Sequence, residues 1–302
     1  MQELVRWTHL KPRQIAEAIL KKYHQKVSTT VIRKLLKKHG FRRRKAQKKT
    51  TMGNPANRNE QFEKIALLRK KYESAGNPVM SMDTKKKELL GNFYRDGHLY
   101  TQETIHVNDH DFKSSSDGVI IPHALYDLAH KHGYIHLGTS KDTTEFACDS
   151  IRHWWLNFGR FLYPKATSIL ILCDGGGSNS SRYYIFKEDL QNLVEELGIE
   201  IRIAHYPPYC SKYNPIEHRL FPHITRACEG VVFRSITLVR NLISETKTAK
   251  GLSVTVSVFD KIYKTGRTAS DSFKENMPII FDDILPKWNY CAVPTLGNMT
   301  VN

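Results

Sequence analysis

The chain has 302 residues, room for one larger domain and one small one, and its 40% hydrophobic and 25% charged content is that of a soluble globular protein. No apolar run approaches the roughly 20 residues of a membrane helix, no apolar signal segment opens the chain, and five scattered cysteines without a CxxC pair suggest neither a zinc site nor a disulfide framework. The net charge of +16 is concentrated: residues 1–50 hold 16 Lys and Arg against 2 Asp and Glu, and the rest holds 30 against 28.

A basic block of this kind is the footprint of a polyanion binder, because released phosphate counterions drive association. Its internal pattern argues against a plain solvated tail. "KPRQIAEAILKKY" sets Ile15, Ile19 and Leu20 at helical spacing, with Pro12 suited to a first turn. Ser28 can cap a second helix, "TTVIRKLLKKHG", whose apolar face is Ile32, Leu35 and Leu36 and whose stop is Gly40. Two short helices, the second one basic, predict a helix-turn-helix-like DNA-binding region over 1–41. Thr29, Thr30, Arg33 and Lys34 would lie at its groove-facing start. Little chain precedes the first helix, Trp7 alone being a strong core candidate, so the region is expected to be N-terminally incomplete. Residues 42–59 read as a basic linker; Arg42, Arg43 and Arg44 suit a DNA backbone or minor groove, and a solvated tether explains them equally well.

From residue 60 the pattern turns α/β. A helix over 60–76 ends at Gly76. A short apolar strand ends in Asp83. "HLYTQETIHV" and "GVIIPHALYDLA" suggest further antiparallel strands. A long helix opens at Asp142 with Glu145 three residues on, a capping-box spacing. "TSILILCDGGGSN" is a buried strand that ends at Asp174. Helix 182–198, strand 199–206 and a helix over "NPIEHRLFPHITRACEG" follow. Residues 60–302 therefore predict a mixed-sheet α/β domain.

Three carboxylates stand out, and each has a plain explanation. Asp83 before "TKKK" fits turn chemistry. Asp174 before "GGG" fits a strand-to-helix loop. Glu217, three residues after Asn214 and two after Pro215, fits a helix start. Together they suggest more. A mixed sheet can bring two strand ends and one helix start to one edge, and such an oxygen-rich cluster needs Mg²⁺ or Mn²⁺ to neutralise it. Two such ions can activate a water or a 3′-hydroxyl for phosphodiester chemistry. "DGGGSN" is not GxGxxG and no GxxxxGK[ST] occurs, so nucleotide binding is poorly supported. Trp154 and Trp155 suit base stacking or core packing.

The stretches "NPVMSMDTKKKELLGNF", "VNDHDF", "YDLAHKHGYIHLGTSKDTTEFACDSIRHWW", "ILILCDGGGSN" and "HYPPYCSKYNPIEHRLF" closely resemble the ISAzo-thirteen family of bacterial insertion-sequence transposases, the Rhodopirellula transposase DDE domain family. "PPY…NPIE" is also similar to the third-carboxylate motif of mariner-like transposases. The resemblance covers nearly the whole chain. It implies an RNase H-like fold, two divalent ions held by Asp83, Asp174 and Glu217, and cleavage and joining of double-stranded DNA at element ends. Glu217 lies 43 residues beyond Asp174, a longer gap than mariner-like enzymes usually show, which implies a modest insertion. Asn179 is a candidate for a ligand or phosphate contact, Asn214 for support of Glu217, and Lys212 for DNA contact. His205 and His218 are not required by this chemistry. A homodimer on DNA follows by analogy, as does a cytoplasmic, nucleoid-associated setting. The alternatives are a related nuclease or resolvase without strand joining, and an inactive DNA-binding derivative.

Overall fold

Pro12 and Ser28 set the two helices of the N-terminal unit. In the computed structural model, which describes residues 6–44, 57–176 and 183–295, the chain divides into two compact units, Met1–Thr51 and Met52–Asn302. In the first, α1 (Pro12–Tyr23) starts at the proline, and the Gln14 side chain accepts the Lys11 amide at 2.8 Å. In α2 (Thr29–Lys38) the Ser28 hydroxyl accepts the Val31 amide at 3.3 Å. Gly40, at φ +76°, lets the Phe41 amide reach the Leu36 carbonyl and close the helix. Only Ile32 is buried among the described residues of this unit, because two helices have too little surface to enclose a core. Trp7 is not the core residue expected: it is 77% exposed.

The second unit is built on one twisted sheet. Its strands are β1 (Val79–Thr84), β2 (Glu88–Leu90), β3 (Gly118–Asp127), β4 (His132–Gly138), β5 (Ser168–Cys173), β6 (Glu200–His205), β7 (Ser253–Phe259), β8 (Ile280–Phe281) and β9 (Asn289–Ala292). They lie in the order β7-β4-β3-β1-β5-β6-β9-β8, with β2 on β3. β1, β3 and β4 form an antiparallel meander, and β5 and β6 run parallel to β1. This is the RNase H-like topology. The helices are α3 (Arg58–Ser74), α4 (Thr144–Trp154), α5 (Arg160–Leu162), α6 (Tyr184–Leu197), α7 (Pro215–Arg219), α8 (Phe221–Ala227), α9 (Ile236–Ser244) and α10 (Asp271–Glu275).

Both faces of the sheet are covered, so β5 can be the uninterrupted apolar run "SILILC". Strand alternation sorts its residues. Leu170 and Leu172 join Val79, Ile216 and Leu220 in one core. Ile169, Ile171 and Cys173 join Met80, Met82, Phe186 and Trp154 in the other.

Some expectations need correction. Residues 98–107 form no strand; β3 pairs instead with β1, with β2 and with β4, the last a strand not singled out in the sequence. The N-cap of α4 is Thr143, whose hydroxyl accepts the Phe146 amide, rather than Asp142. The long helix it opens passes through one wide π turn at Trp155–Gly159 before α5. The helix expected after Asn214 breaks at Leu220 into α7 and α8, because Pro222 has no amide to bond back into the preceding turn.

Candidate active site

β1 and β5 are parallel neighbours, with Met82 opposite Cys173. Asp83 and Asp174 are therefore the next residues along two adjacent strands, level with each other at the carboxyl edge of the sheet. Alternation puts both on the Val79–Leu172 face, where Ile216 of α7 also packs. The strand period alone thus brings two carboxylates to the side from which α7 delivers the third.

A buried clasp fixes α7 against β1. The Ser81 hydroxyl donates to Asn214 Oδ1 at 2.5 Å and accepts the Ile216 amide at 3.0 Å. Asn214 Nδ2 donates to the Met82 carbonyl at 3.1 Å. Ser81 and Asn214 are both fully buried. Asn214 precedes Pro215 yet makes no side-chain cap to its own helix; its amide group is committed to β1. Glu217, one residue beyond Ile216, is thereby set beside Asp83, two residues beyond Ser81.

The electrostatics agree with that placement. The Asp83 carboxyl is pushed up to about 8, mainly by burial and then by the negative charge of Asp174. The Thr84 amide opposes this by donating to Asp83 Oδ1 at 2.8 Å. Glu217 raises it further, through its charge and a hydrogen bond between the two carboxyl groups. Burial also raises Asp174, against a 3.3 Å bond from the Gly176 amide.

Asp174 is anchored from behind. His205 is fully buried at the end of β6, and its Nδ1 donates to the Asp174 carbonyl at 2.9 Å. The Tyr290 hydroxyl lies 3.0 Å from His205 Nε2, which leaves it as the donor there and fixes the neutral tautomer. Burial pushes this imidazole down to about 4. Sequence reasoning set His205 aside and missed Ser81. Their partners lie 31 and 133 residues away in the chain, so no local pattern announces either role.

The donor set suits a hard divalent cation: three carboxylates, oxygen only, whose mutual repulsion such a charge would relieve. Among the described residues, no three His, Cys, Asp or Glu side chains form a ready-made metal cage. Beside Glu217 a groove of about 850 Å³ runs past Thr84, Lys85, Lys86 and Arg95.

Asn179 lies outside the described residues. Lys212 is exposed, with its ammonium 5.2 Å from the Tyr213 ring centre. His218 is exposed. Trp154 and Trp155 are buried, so both serve packing and neither is open to a base. Thr30, Arg33, Lys34, Arg42, Arg43 and Arg44 are exposed and Thr29 half-buried. All five cysteines are free and buried.

A family model described as the Rhodopirellula transposase DDE domain matches residues 1–294. The chain belongs to this transposase family. Among solved structures, the chain is similar to the Mos1 transposase paired-end complex with left transposon end, at 14% identity, covering 81% of this chain and 73% of that one, with a TM-score of 0.47. It is also similar to the Mos1 mariner paired-end complex with Mn, at 13% identity, 81% and 74% coverage and a TM-score of 0.46. The Mos1 strand transfer complex gives 16% identity, 81% and 72% coverage and a TM-score of 0.45. No curated protein matches. No helix among the described residues is long and apolar enough to cross a membrane.

Proposed function

We propose that this DDE transposase cleaves double-stranded DNA at the ends of its insertion sequence and joins the freed 3′-hydroxyl to target DNA. The observation that carries this is the meeting of Asp83, Asp174 and Glu217 at one sheet edge, enforced by strand register and by the Ser81–Asn214 clasp. These three residues would hold Mg²⁺ or Mn²⁺, two ions by the chemistry of the class. Bound there, the ions supply activation of the attacking oxygen and charge stabilisation of the leaving one.

The protein supplies position. β1 and β5 set the two aspartates side by side. The clasp sets Glu217 against Asp83, and His205 holds the Asp174 backbone. With no cation, Asp83 keeps a proton at neutral pH in a hydrogen bond with Glu217. That proton must leave before the cluster can act as a ligand set. The groove beside Glu217 gives the cleaved strand a path past Lys86, while Lys85 and Arg95 in its wall are paired with Glu88.

In this reading the basic N-terminal unit grips the terminal repeats in a helix-turn-helix manner. Thr29, Thr30, Arg33 and Lys34 face the groove, Arg42–Arg44 follow the backbone, and Lys212 adds a phosphate contact. Asn179 is assigned a supporting contact. The protein works as a homodimer that pairs two ends, in the cytoplasm on the nucleoid.

The test is incubation of the purified protein with element-end DNA and a target plasmid, with Mg²⁺ or with EDTA. Metal-dependent cleavage and joined products, both lost in Asp174→Asn, are expected. Cleavage without joining would leave a nuclease or resolvase. DNA binding without cleavage would leave an inactive derivative.

A further inference from the structure

Between Asp174 and Glu217 the chain crosses from β6 to α7 through a loop of successive turns. The Tyr206 amide donates to the Cys173 carbonyl at 2.8 Å, which pins the start of the loop beside the second aspartate. The Cys210 amide donates to Pro207 at 3.1 Å, Tyr213 to Cys210 at 2.9 Å, and Asn214 to Ser211 at 2.8 Å. Cys210 is fully buried, and its sulfur takes the Arg58 Nε at 3.2 Å. The loop is therefore held at both ends and in the middle.

In the first of these turns Pro208 and Tyr209 are the two central residues, and Tyr209 has φ +62°. Proline followed by a residue at positive φ, closed by a bond from the fourth amide to the first carbonyl, is a type II turn. That second central position favours glycine or asparagine, and a tyrosine there is strained. Burial does not explain it, for Tyr209 is 70% exposed. Among the described residues it makes no side-chain hydrogen bond and no ring contact. Its neighbour Tyr213 differs: that ring packs edge-on against Phe62 at 5.1 Å, with the Arg58 guanidinium 5.8 Å from its centre. Leu285, another large residue at positive φ, is partly buried. Tyr209 thus pays for its conformation and gains no packing.

We propose that Tyr209 is a stacking platform for an unpaired DNA base beside the cleaved phosphate. The inference rests on the transposase reading and deepens it. Strained residues persist where function needs them. An exposed aromatic ring stacks on any base through its π-face, and Lys212 and Arg58 on the same loop and its anchor supply the positive charge that the adjoining phosphates require. The loop leaves β6 pinned beside Asp174 by the Tyr206 amide and runs into the helix that carries Glu217, so Tyr209 is carried by the segment that joins two of the proposed ligands.

Stability and binding should move in opposite directions, which no packing role would produce. The probe is a short single-stranded oligonucleotide carrying 2-aminopurine at alternate positions, added to the full chain in EDTA so that cleavage plays no part. Wild type and Tyr209→Phe should both quench the 2-aminopurine fluorescence. Tyr209→Gly should lose most of the quench and bind on the order of 10-fold more weakly, while melting about 2 °C higher because glycine relaxes the turn. If Tyr209→Gly quenches like wild type, or melts lower than wild type, the stacking role is wrong and the transposase reading stands. If wild type does not quench the probe, the stacking role is wrong, and the transposase reading is decided separately by the cleavage-and-joining assay.

Discussion

Asp83 shows most clearly what this site costs the fold. Its folded-state pKa is raised from 3.8 to about 8, so the native protein disfavours the ionised form. The penalty grows as pH rises above 3.8 and is complete above about 8. Asp83→Asn should therefore raise the melting temperature in EDTA, most at pH 8 and above, while abolishing DNA cleavage; an unchanged or lower melting temperature would mean that the carboxylates do not repel as described. The clasp predicts the opposite sign. Ser81→Ala leaves the buried Asn214 Oδ1 and the Ile216 amide without their partner, at a cost of about 1–3 kcal/mol. Denaturant titration should show that loss, and cleavage should fall with it as Glu217 drifts from Asp83. The carboxylates themselves were legible in the sequence because each ends a strand or begins a helix. Ser81 and His205 were not, because what matters about them is a partner far along the chain.

At the scale of elements, β3 and β4 carry a buried pair, His123 opposite His136. Asp142 and His153 face them, His153 Nδ1 at 3.2 Å from His136 Nε2, and the rings of Phe146 and Phe259 pack alongside. Burial pushes His123 down to about 4, against the pull of Asp142, and holds His136 well below its usual range. Both are neutral when folded and take a proton when unfolded below pH 6.5. Stability is therefore unaffected by them above neutrality and falls as pH drops from about 6.5 toward 4. For His123 the loss by pH 4 is on the order of 3 kcal/mol. In the Asp83→Asn background, which removes the opposing titration of Asp83, thermal melts from pH 7.5 to 4.5 should show that acid limb, and His123→Gln should make it shallower while His205 keeps part of it; an equally steep limb in the double variant would place the acid sensitivity elsewhere. Helices and the buried strand β5 were readable from period and capping residues. The strand expected at 98–107 was not realised, since β3 takes its partners from β1, β2 and β4, and alternation alone does not name a strand's neighbour.

At the scale of the molecule, charge and chemistry are divided between two units. Most of the excess charge lies in the first 50 residues, and the three carboxylates lie in the second unit. A chain beginning at Met52 should keep a cooperative melt, since that unit holds the sheet and its two large cores. Its affinity for duplex DNA should fall and depend less steeply on salt, because fewer phosphate counterions are released. An unchanged salt slope would show that the N-terminal unit does not carry the contact. The α/β pattern and the family resemblance made the RNase H-like fold readable in advance. The thin core of the N-terminal unit was not, because helical spacing promises an apolar face without saying what covers it. The proposed chemistry requires that Asp83, Asp174 and Glu217 act as a single cation site. Anomalous scattering from a crystal soaked in Mn²⁺ tests it most directly. Peaks within coordination distance of all three carboxylates are predicted; a map with no peak there, and the three side chains apart, would contradict it.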